Sequence, residues 1–468
     1  MADAVERELA AGGVKSGERL PSVRTFAAKL GVNSATVVAA YRVLEEKGLV
    51  YSKPGSGTYV LPKTMPPPRE DELGALFQDY EELNGGRLVC DDSTIDLAGN
   101  SPAAEAFPAA DFKNAIDAVL DAEGGYAFSY LESEGYFPLR RILSGFSRTQ
   151  YGIACGPENI LLTSGAQQAL DLISKALLRP GDTVLAETPS YIGVRSAFAM
   201  HNARLLGVPV ERDGMNLDIA EYYAKQYRPR LLYTMPVYQT PTGVCMSAEK
   251  RGRLLGLAEK YDFYIVEDDL FSDLNLRGER LLPLKSEDGA DRVLYVRSFS
   301  KLLMPGLRTG YIVAPPELFE KLAAAKYATD ISGSGLIQRA LAVYFQNGCW
   351  DRNLQGLAAA CRERLHTALR IVSEWKRFGV KTDEVKGGFG LWLTLPEGVT
   401  DREIYYPCRE RKVMLAPGSS FYLSPMSGFQ RHLRVSFAAA NRLGEGLRIV
   451  GECIRSAVNG GCGHTIFI

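Results

Sequence analysis

The chain of 468 residues lacks the features that would tie it to a membrane, a metal or an oxidising compartment. No uninterrupted apolar run reaches the ~20 residues that span a bilayer as a helix. The opening residues, Met1-Ala2-Asp3-Ala4-Val5-Glu6-Arg7-Glu8, contain no apolar core of a secretory leader. Cysteine occurs 8 times and never as Cys-x-x-Cys, so the thiols read as reduced rather than as a disulfide framework. Cys453, Cys462 and His464 match no standard zinc spacing, and no metal is expected. Charge of one sign is not in excess either: 54 Lys and Arg against 55 Asp and Glu give a formal net charge of -1. Any attraction to nucleic acid must then come from a local patch. Internal repeats are missing too. These absences lead to the expectation of a soluble, cytoplasmic protein with no membrane partner. The length exceeds one ordinary core, so two or more domains are expected.

The first sixty residues read as a unit. A short helix over residues 3–11 ends at Gly12-Gly13. Ser22, after Pro21, is a favourable N-cap for a helix through Leu30 with Val23, Phe26, Ala27 and Leu30 on one face. Gly31 stops it. Asn33 or Ser34 then caps a helix through Lys47 with Val37, Ala40, Tyr41 and Leu44 inward. Leu49-Val50-Tyr51-Ser52 and Thr58-Tyr59-Val60 flank a Gly-rich tip, Lys53-Pro54-Gly55-Ser56-Gly57, and read as a hairpin. Helices followed by a β-wing make a winged helix-turn-helix. Residues 1–63 hold nine Lys or Arg against six Asp or Glu, the local basic balance that contact with DNA phosphates requires.

Residues 63–93 change character: Pro66-Pro67-Pro68 is extended, an acidic segment follows with one short helix over 72–82, and Asn84-Gly85-Gly86 closes a linker. From residue 94 strands alternate with helices, which argues for a mostly parallel sheet. Ile160–Thr163, Thr183–Glu187, Leu231–Met235, Phe263–Asp269 and Val293–Val296 are the strands. Each delivers a polar or aromatic group at its C-terminal end, where open α/β sheets bind ligands.

One stretch organises the rest: Ser298-Phe299-Ser300-Lys301-Leu302-Leu303-Met304-Pro305-Gly306-Leu307-Arg308-Thr309-Gly310-Tyr311. A lysine amine forms a Schiff base with an aldehyde, hydroxyls donate to a phosphate, and a guanidinium grips it. Pyridoxal phosphate needs these groups together. The stretch resembles the cofactor segment of fold-type-I aminotransferases. That resemblance covers about residues 94–440. It implies Lys301 as the Schiff-base lysine, with Ser298, Ser300, Arg308, Ala166 and Gln167 as phosphate ligands. It places Asp268 at the pyridine nitrogen, Tyr191 on the ring face, and Tyr130 at the phosphate of the partner subunit of a homodimer. Arg434 matches the clamp on an amino acid's carboxylate, and Gly99 a backbone contact beside it. Two positions depart from the pattern. Thr240 stands where Asn precedes Pro-Thr-Gly, with Thr240 expected at the ring hydroxyl. Leu270-Phe271 stand where a Tyr follows the aspartate.

Residues 12–60 in turn resemble a GntR-type DNA-binding domain. The resemblance implies DNA contacts from Arg24, from Ser34, Ala35 and Thr36 at the start of the recognition helix, and from Lys53, Gly55 and Ser56 at the wing tip. The order of parts is similar to the MocR/GabR group of bacterial regulators. The expected architecture is therefore α/β: a winged helix over 1–62, a linker over 63–93, and an aminotransferase-like domain over 94–468. That last domain has a mostly parallel sheet and a smaller C-terminal α+β subdomain. The expected function is a pyridoxal-phosphate-dependent transcriptional regulator that binds double-stranded DNA and senses an amino compound by forming an external aldimine. The alternatives are a catalytically active aminotransferase with an accessory DNA-binding domain, and a scaffold without cofactor.

Overall fold

The computed structural model describes residues 1–10, 14, 17–53, 56–61, 93–277, 280–423 and 431–460. The first unit is built from α1 (Ala2–Ala10), α2 (Val23–Leu30), α3 (Ser34–Glu46), β1 (Val50–Lys53) and β2 (Gly57–Val60). Ser22 caps α2 by accepting the Thr25 N–H at 3.2 Å. Gly31 closes that helix at φ +65°, a left-handed conformation that costs glycine little. Of the two offered caps for α3, Asn33 is the one used: its Oδ1 accepts the Ala35 N–H at 2.9 Å.

The inward set Val37, Ala40, Tyr41 and Leu44 is buried as the helical period requires. Val37 and Leu44 join Leu9, Leu20, Ala27, Val50 and Val60 in a small core. Leu30 departs from expectation. It is 47% exposed, because α2 has only 8 residues and its last one projects past the core's edge. The hairpin pairs Val50 with Val60 and Lys53 with Gly57. The expected wing-tip residue Gly55, the linker with its helix over 72–82, and Cys462 and His464 lie outside the described residues.

The larger unit carries β3 (Ile95–Asp96), β4 (Ile160–Thr163), β5 (Thr183–Thr188), β6 (Arg204–Glu211), β7 (Gly214–Met215), β8 (Leu231–Thr234), β9 (Tyr264–Asp269), β10 (Val293–Ser298) and β11 (Gly310–Val313). All but β3 form one sheet in the order β4-β11-β10-β9-β8-β5-β6-β7. The five strands from β10 to β6 run parallel. β11 is antiparallel to both of its neighbours. Strands covered on both faces need apolar residues at both parities. Val184, Leu231, Val266 and Leu294 accordingly face one core cluster, and Leu185, Leu232, Ile265 and Val293 the other.

The smaller subdomain adds β12 (Lys381–Thr382), β13 (Gly390–Thr394), β14 (Val413–Met414), β15 (Ala416–Pro417) and β16 (His432–Ser436). Its antiparallel sheet runs β12-β13-β16-β15, while β14 pairs parallel with β3. The residues just after the linker therefore join the C-terminal subdomain, and that pairing brings residues 95–100 beside β16. Among the described residues no helix is long and apolar enough to cross a membrane.

Candidate functional site

Parallel strands end on the same edge of the sheet, and the expected site residues collect there. Lys301 follows the end of β10. Burial, then the nearby cations Arg434 and Arg308, lower its ammonium to about 8, with Asp268 opposing. The amine is thus more available as a nucleophile than an ordinary lysine's.

Asp268 lies in β9 and is 1% exposed. Its Oδ2 accepts the Tyr233 hydroxyl at 2.7 Å, whereas its Oδ1 is buried without a hydrogen-bond partner. Desolvation raises this carboxyl to about 7, and the Tyr233 hydrogen bond restrains the rise. A protonated ring nitrogen is the kind of group that satisfies such an oxygen. The next residue, Asp269, points to the opposite face of the sheet, as strand alternation demands. There it accepts hydrogen bonds from Tyr295 at 2.6 Å and Arg297 at 2.9 Å.

Arg308 donates to the Ser164 carbonyl at 2.8 Å and to Ser300 Oγ at 3.4 Å. Ser300 N–H in turn donates to Ser298 Oγ at 3.2 Å. A Cβ on Gly165 would lie 3.2 Å from the Arg308 guanidinium, so that position favours glycine. Helix Ala166–Leu177 starts here. Ala166 and Gln167 stand in its first turn, whose N–H groups suit an anion. Gln167 also donates from Nε2 to the Gly193 carbonyl at 3.3 Å and meets the Tyr191 hydroxyl at 3.5 Å.

Thr240 is buried in the loop after β8. That loop is tied to the loop after β5 through a buried carboxylate. Glu187 accepts Thr234 Oγ1 at 2.6 Å, Met235 N–H at 3.1 Å and Gln239 Nε2 at 3.3 Å. Gln239 Nε2 also donates to the Pro189 carbonyl at 2.7 Å. Burial raises the Glu187 carboxyl to about 7. The positions where the family pattern puts a Tyr hold no hydroxyl: Leu270 and Phe271 are both buried, and Phe271 packs edge-on against Phe389 at 5.1 Å.

Arg434 enters from β16 and is 4% exposed. Neutral oxygens hold it: the Ala98 carbonyl at 2.9 Å, the Gly99 carbonyl at 3.4 Å and Asn100 Oδ1 at 2.5 Å. Burial lowers its guanidinium to about 10, with Asp96 opposing. A cation desolvated to that degree favours an incoming carboxylate. Gly99 cannot carry a side chain, because a Cβ would lie 2.6 Å from Asp96 Oδ2 and 2.8 Å from Ala439 Cβ.

Tyr130 does not join this cluster. It is 85% exposed, beside Tyr126 at 79% and Phe128 at 68%. In the winged helix, Arg24, Ser34, Ala35 and Thr36 are all exposed. Lys53 Nζ lies 2.6 Å from Asp218 Oδ2 of the larger unit, and the Ser56 hydroxyl lies 2.6 Å from that of Tyr59.

Tyr233, Glu187, Gln239 and Asn100 escaped the sequence reading. For Tyr233 a signal existed: a tyrosine inside a buried aliphatic run needs a partner for its hydroxyl. The Glu187 and Asn100 contacts join segments far apart in the chain and left no local signal.

This fold and this arrangement of side chains define a fold-type-I aminotransferase architecture with a winged helix-turn-helix in front of it. The chain belongs to the aminotransferase class I and II family, whose model matches residues 93–443, and the model of the bacterial regulatory proteins of the gntR family matches residues 1–60. It is 35% identical to 2-aminoadipate transaminase of Thermus thermophilus over 77% of this chain and 90% of that one. It is also 30% identical to the probable rhizopine catabolism regulatory protein MocR of Rhizobium meliloti, over 89% of this chain and 86% of the relative. Among solved structures it resembles α-aminoadipate aminotransferase LysN of Thermus thermophilus, complexed with N-(5'-phosphopyridoxyl)-L-leucine. That likeness has a TM-score of 0.74 and 33% identity, covering 81% of this chain and 95% of that one.

The Asp268 environment has a consequence for cofactor-free protein. Its carboxyl titrates at about 7 when folded against 3.8 as a free group. The folded state holds the proton more tightly, so this residue's contribution to stability falls as pH rises between those values. Asp268→Asn is expected to make the pH dependence of the thermal midpoint shallower over that window, measured by differential scanning fluorimetry. Tyr233→Phe, which removes the restraining hydrogen bond, should extend the loss to higher pH. An unchanged profile in both variants contradicts the assignment.

Proposed function

We propose that the protein is a pyridoxal-phosphate-dependent transcriptional regulator whose aminotransferase-like domain senses an amino compound. The observation that carries this reading is the order of parts. A gntR-type domain precedes an aminotransferase domain that retains an activated Lys301, an Asp268 oxygen with no partner, and an Arg434 held by neutral groups. Pyridoxal phosphate, when bound, supplies an aldehyde that condenses with amines and a ring that withdraws electrons from them.

The residues present fit that group. Asp268 would hold the ring nitrogen, with Tyr233 keeping Oδ2 and Oδ1 left open for it. Arg308, Ser300, Ser298 and the first-turn N–H groups of Ala166 and Gln167 hold the phosphate. Tyr191 would cover a ring face, and Thr240 would serve the ring hydroxyl. Arg434 and Gly99 receive the effector's carboxylate, so the effector is an amino acid or a close relative. Lys301 would hold the aldehyde, and its amine, when free, would accept and return protons.

The protein works as a homodimer in the cytoplasm. The exposed Tyr126, Phe128 and Tyr130 support this, with Tyr130 serving the partner's phosphate site. Duplex DNA is read by α3 from Ser34, Ala35 and Thr36, with Arg24 reaching phosphate or base and Lys53, Gly55 and Ser56 contacting it from the wing tip. Effector binding shifts the domains and changes the spacing of the two winged helices.

A second reading, a working aminotransferase, is favoured by the retained base at Lys301. Thr240, shorter than the Asn it replaces, and the apolar Leu270 and Phe271 weigh against it, because they weaken or remove the donors that tune the ring hydroxyl. Turnover is therefore expected far below the roughly 1–1000 per second of ordinary enzymes.

Borohydride reduction with pyridoxal phosphate should fix a pyridoxyl group on Lys301, located by mass spectrometry, and Lys301→Ala should abolish it. A reducible adduct on another lysine sinks the assignment. With a panel of amino acids, spectral changes should saturate without sustained keto-acid release, and Arg434→Ala should weaken them about a hundredfold, the loss of a charge-assisted pair of ~3 kcal/mol. Keto-acid production at enzyme-like rates would favour the aminotransferase reading instead.

DNA affinity should fall steeply with salt, since each neutralised phosphate releases a counterion. Arg24→Ala with Lys53→Ala should weaken binding in a band-shift assay and lower the salt slope. A double variant that binds as the parent does counts against the winged-helix assignment.

A further inference from the structure

We infer that the wing and the outer face of helix Leu217–Tyr227 form a latch that withholds Lys53 from DNA. The inference rests on the reading that residues 1–61 bind DNA, and it adds a control on that binding.

Lys53, at the wing tip, spends its charge on Asp218 at 2.6 Å. The contact is not a lone ion pair. Tyr51 of β1 is 4% exposed. It stacks on Tyr59 within the wing at 5.5 Å and meets Tyr222 of the helix at 5.4 Å. Leu61, just past the wing, is equally buried, in one apolar cluster with Met215, Leu217, Ile219 and Tyr223. The wing is therefore seated on the larger unit by aromatic and aliphatic burial, with the lysine at the edge of the seat.

The division of labour suits a reversible contact. The ion pair is partly exposed, with side-chain accessibilities of 45% and 30%, and such pairs contribute little to stability. Asp218 is also held by Arg253 at 2.7 Å, so it keeps a partner when Lys53 leaves. A DNA phosphate competes for the same ammonium. While Lys53 stays on Asp218 its charge is already neutralised, and a phosphate contact there releases less counterion free energy.

The wing also moves the reading element with it. Ser52 donates from its backbone N–H to Glu45 Oε1 at 3.0 Å and from its hydroxyl to Oε2 at 3.3 Å, and Glu45 belongs to α3. Releasing the wing from helix Leu217–Tyr227 thus displaces α3 as well. That helix packs on β5 and β6, and β5 leads into the loop of Tyr191. The seat is in this way joined to the edge of the sheet where the effector would bind.

The test uses the full chain with pyridoxal phosphate and a random-sequence duplex long enough for two winged helices, titrated across salt. Asp218→Asn should raise affinity by roughly three- to tenfold, and the slope of log affinity against log salt should steepen by about 0.9, one phosphate contact. Tyr222→Ala, which changes no charge, should raise affinity in the same direction. Lys53→Met combined with Asp218→Asn should erase the gain. Equal or weaker binding by Asp218→Asn, or a gain that survives Lys53→Met, overturns the latch. Hydrogen exchange over residues 50–61 reads the seat without DNA: Tyr222→Ala should quicken it, and unchanged exchange also overturns the latch. If exchange quickens but neither parent nor variants bind duplex DNA, the seat is real, and it is the DNA-binding reading, with the control built on it, that fails.

Discussion

A carboxylate buried at the end of a parallel strand, with one oxygen satisfied and the other not, is the constraint on which the site depends. Asp268 keeps Oδ2 on the Tyr233 hydroxyl and leaves Oδ1 without a partner. Such an atom is expensive in a protein interior unless something outside the chain completes it. Lys301 and Arg434 show the same imbalance from the cationic side. Both are pulled down by burial, and Arg434 is surrounded by neutral oxygens. Charges left partly unanswered at one edge of the sheet are what a zwitterionic, phosphorylated ligand set would answer.

Holding these groups apart requires a stiff frame, and the sheet supplies it. β5, β8, β9 and β10 run parallel, so their ends open on one side. Glu187, near the end of β5, ties that strand to the end of β8 and the loop after it through Thr234, Met235 and Gln239, and Gln239 also holds the loop after β5 at the Pro189 carbonyl. Tyr191 and Thr240 ride on those loops. The smaller subdomain brings Arg434 in from β16 and residues 98–100 in through the β3–β14 pairing. The Arg434 cluster is thus assembled from chain segments more than three hundred residues apart.

The family membership and the departures from its pattern point in one direction when taken with this geometry. Lys301, Arg308, Ser298, Ser300, Asp268 and Arg434 keep the residue types of the family pattern, while the Asn and Tyr of that pattern are replaced by Thr240 and by Leu270-Phe271. On the reading proposed above, recognition would be retained where chemistry is detuned. A DNA-binding domain seated on the face of the sheet's edge helix gives such recognition somewhere to be transmitted.

Much of this was legible in the residues alone. The period of α3, the caps Ser22 and Asn33, the wing strands and four of the five parallel strands (β5, β8, β9 and β10, but not β6) are local patterns, because capping, amphipathicity and strand burial are set by neighbours in sequence. Lys301, Arg308, Ser298 and Ser300 could be grouped for the same reason: they stand within one turn after one strand. The hydroxyl that steadies Asp268, the carboxylate that ties the loops, and the seating of Lys53 on Asp218 were not legible. Each joins segments 35 to 165 residues apart. Hydrogen bonds and ion pairs act over a few ångströms in space, and sequence carries no trace of a distance that folding alone creates. The sequence by itself determined which chemistry the strand ends can offer. Tertiary structure decided which of those groups meet, which are left without a partner, and which surface the wing occupies.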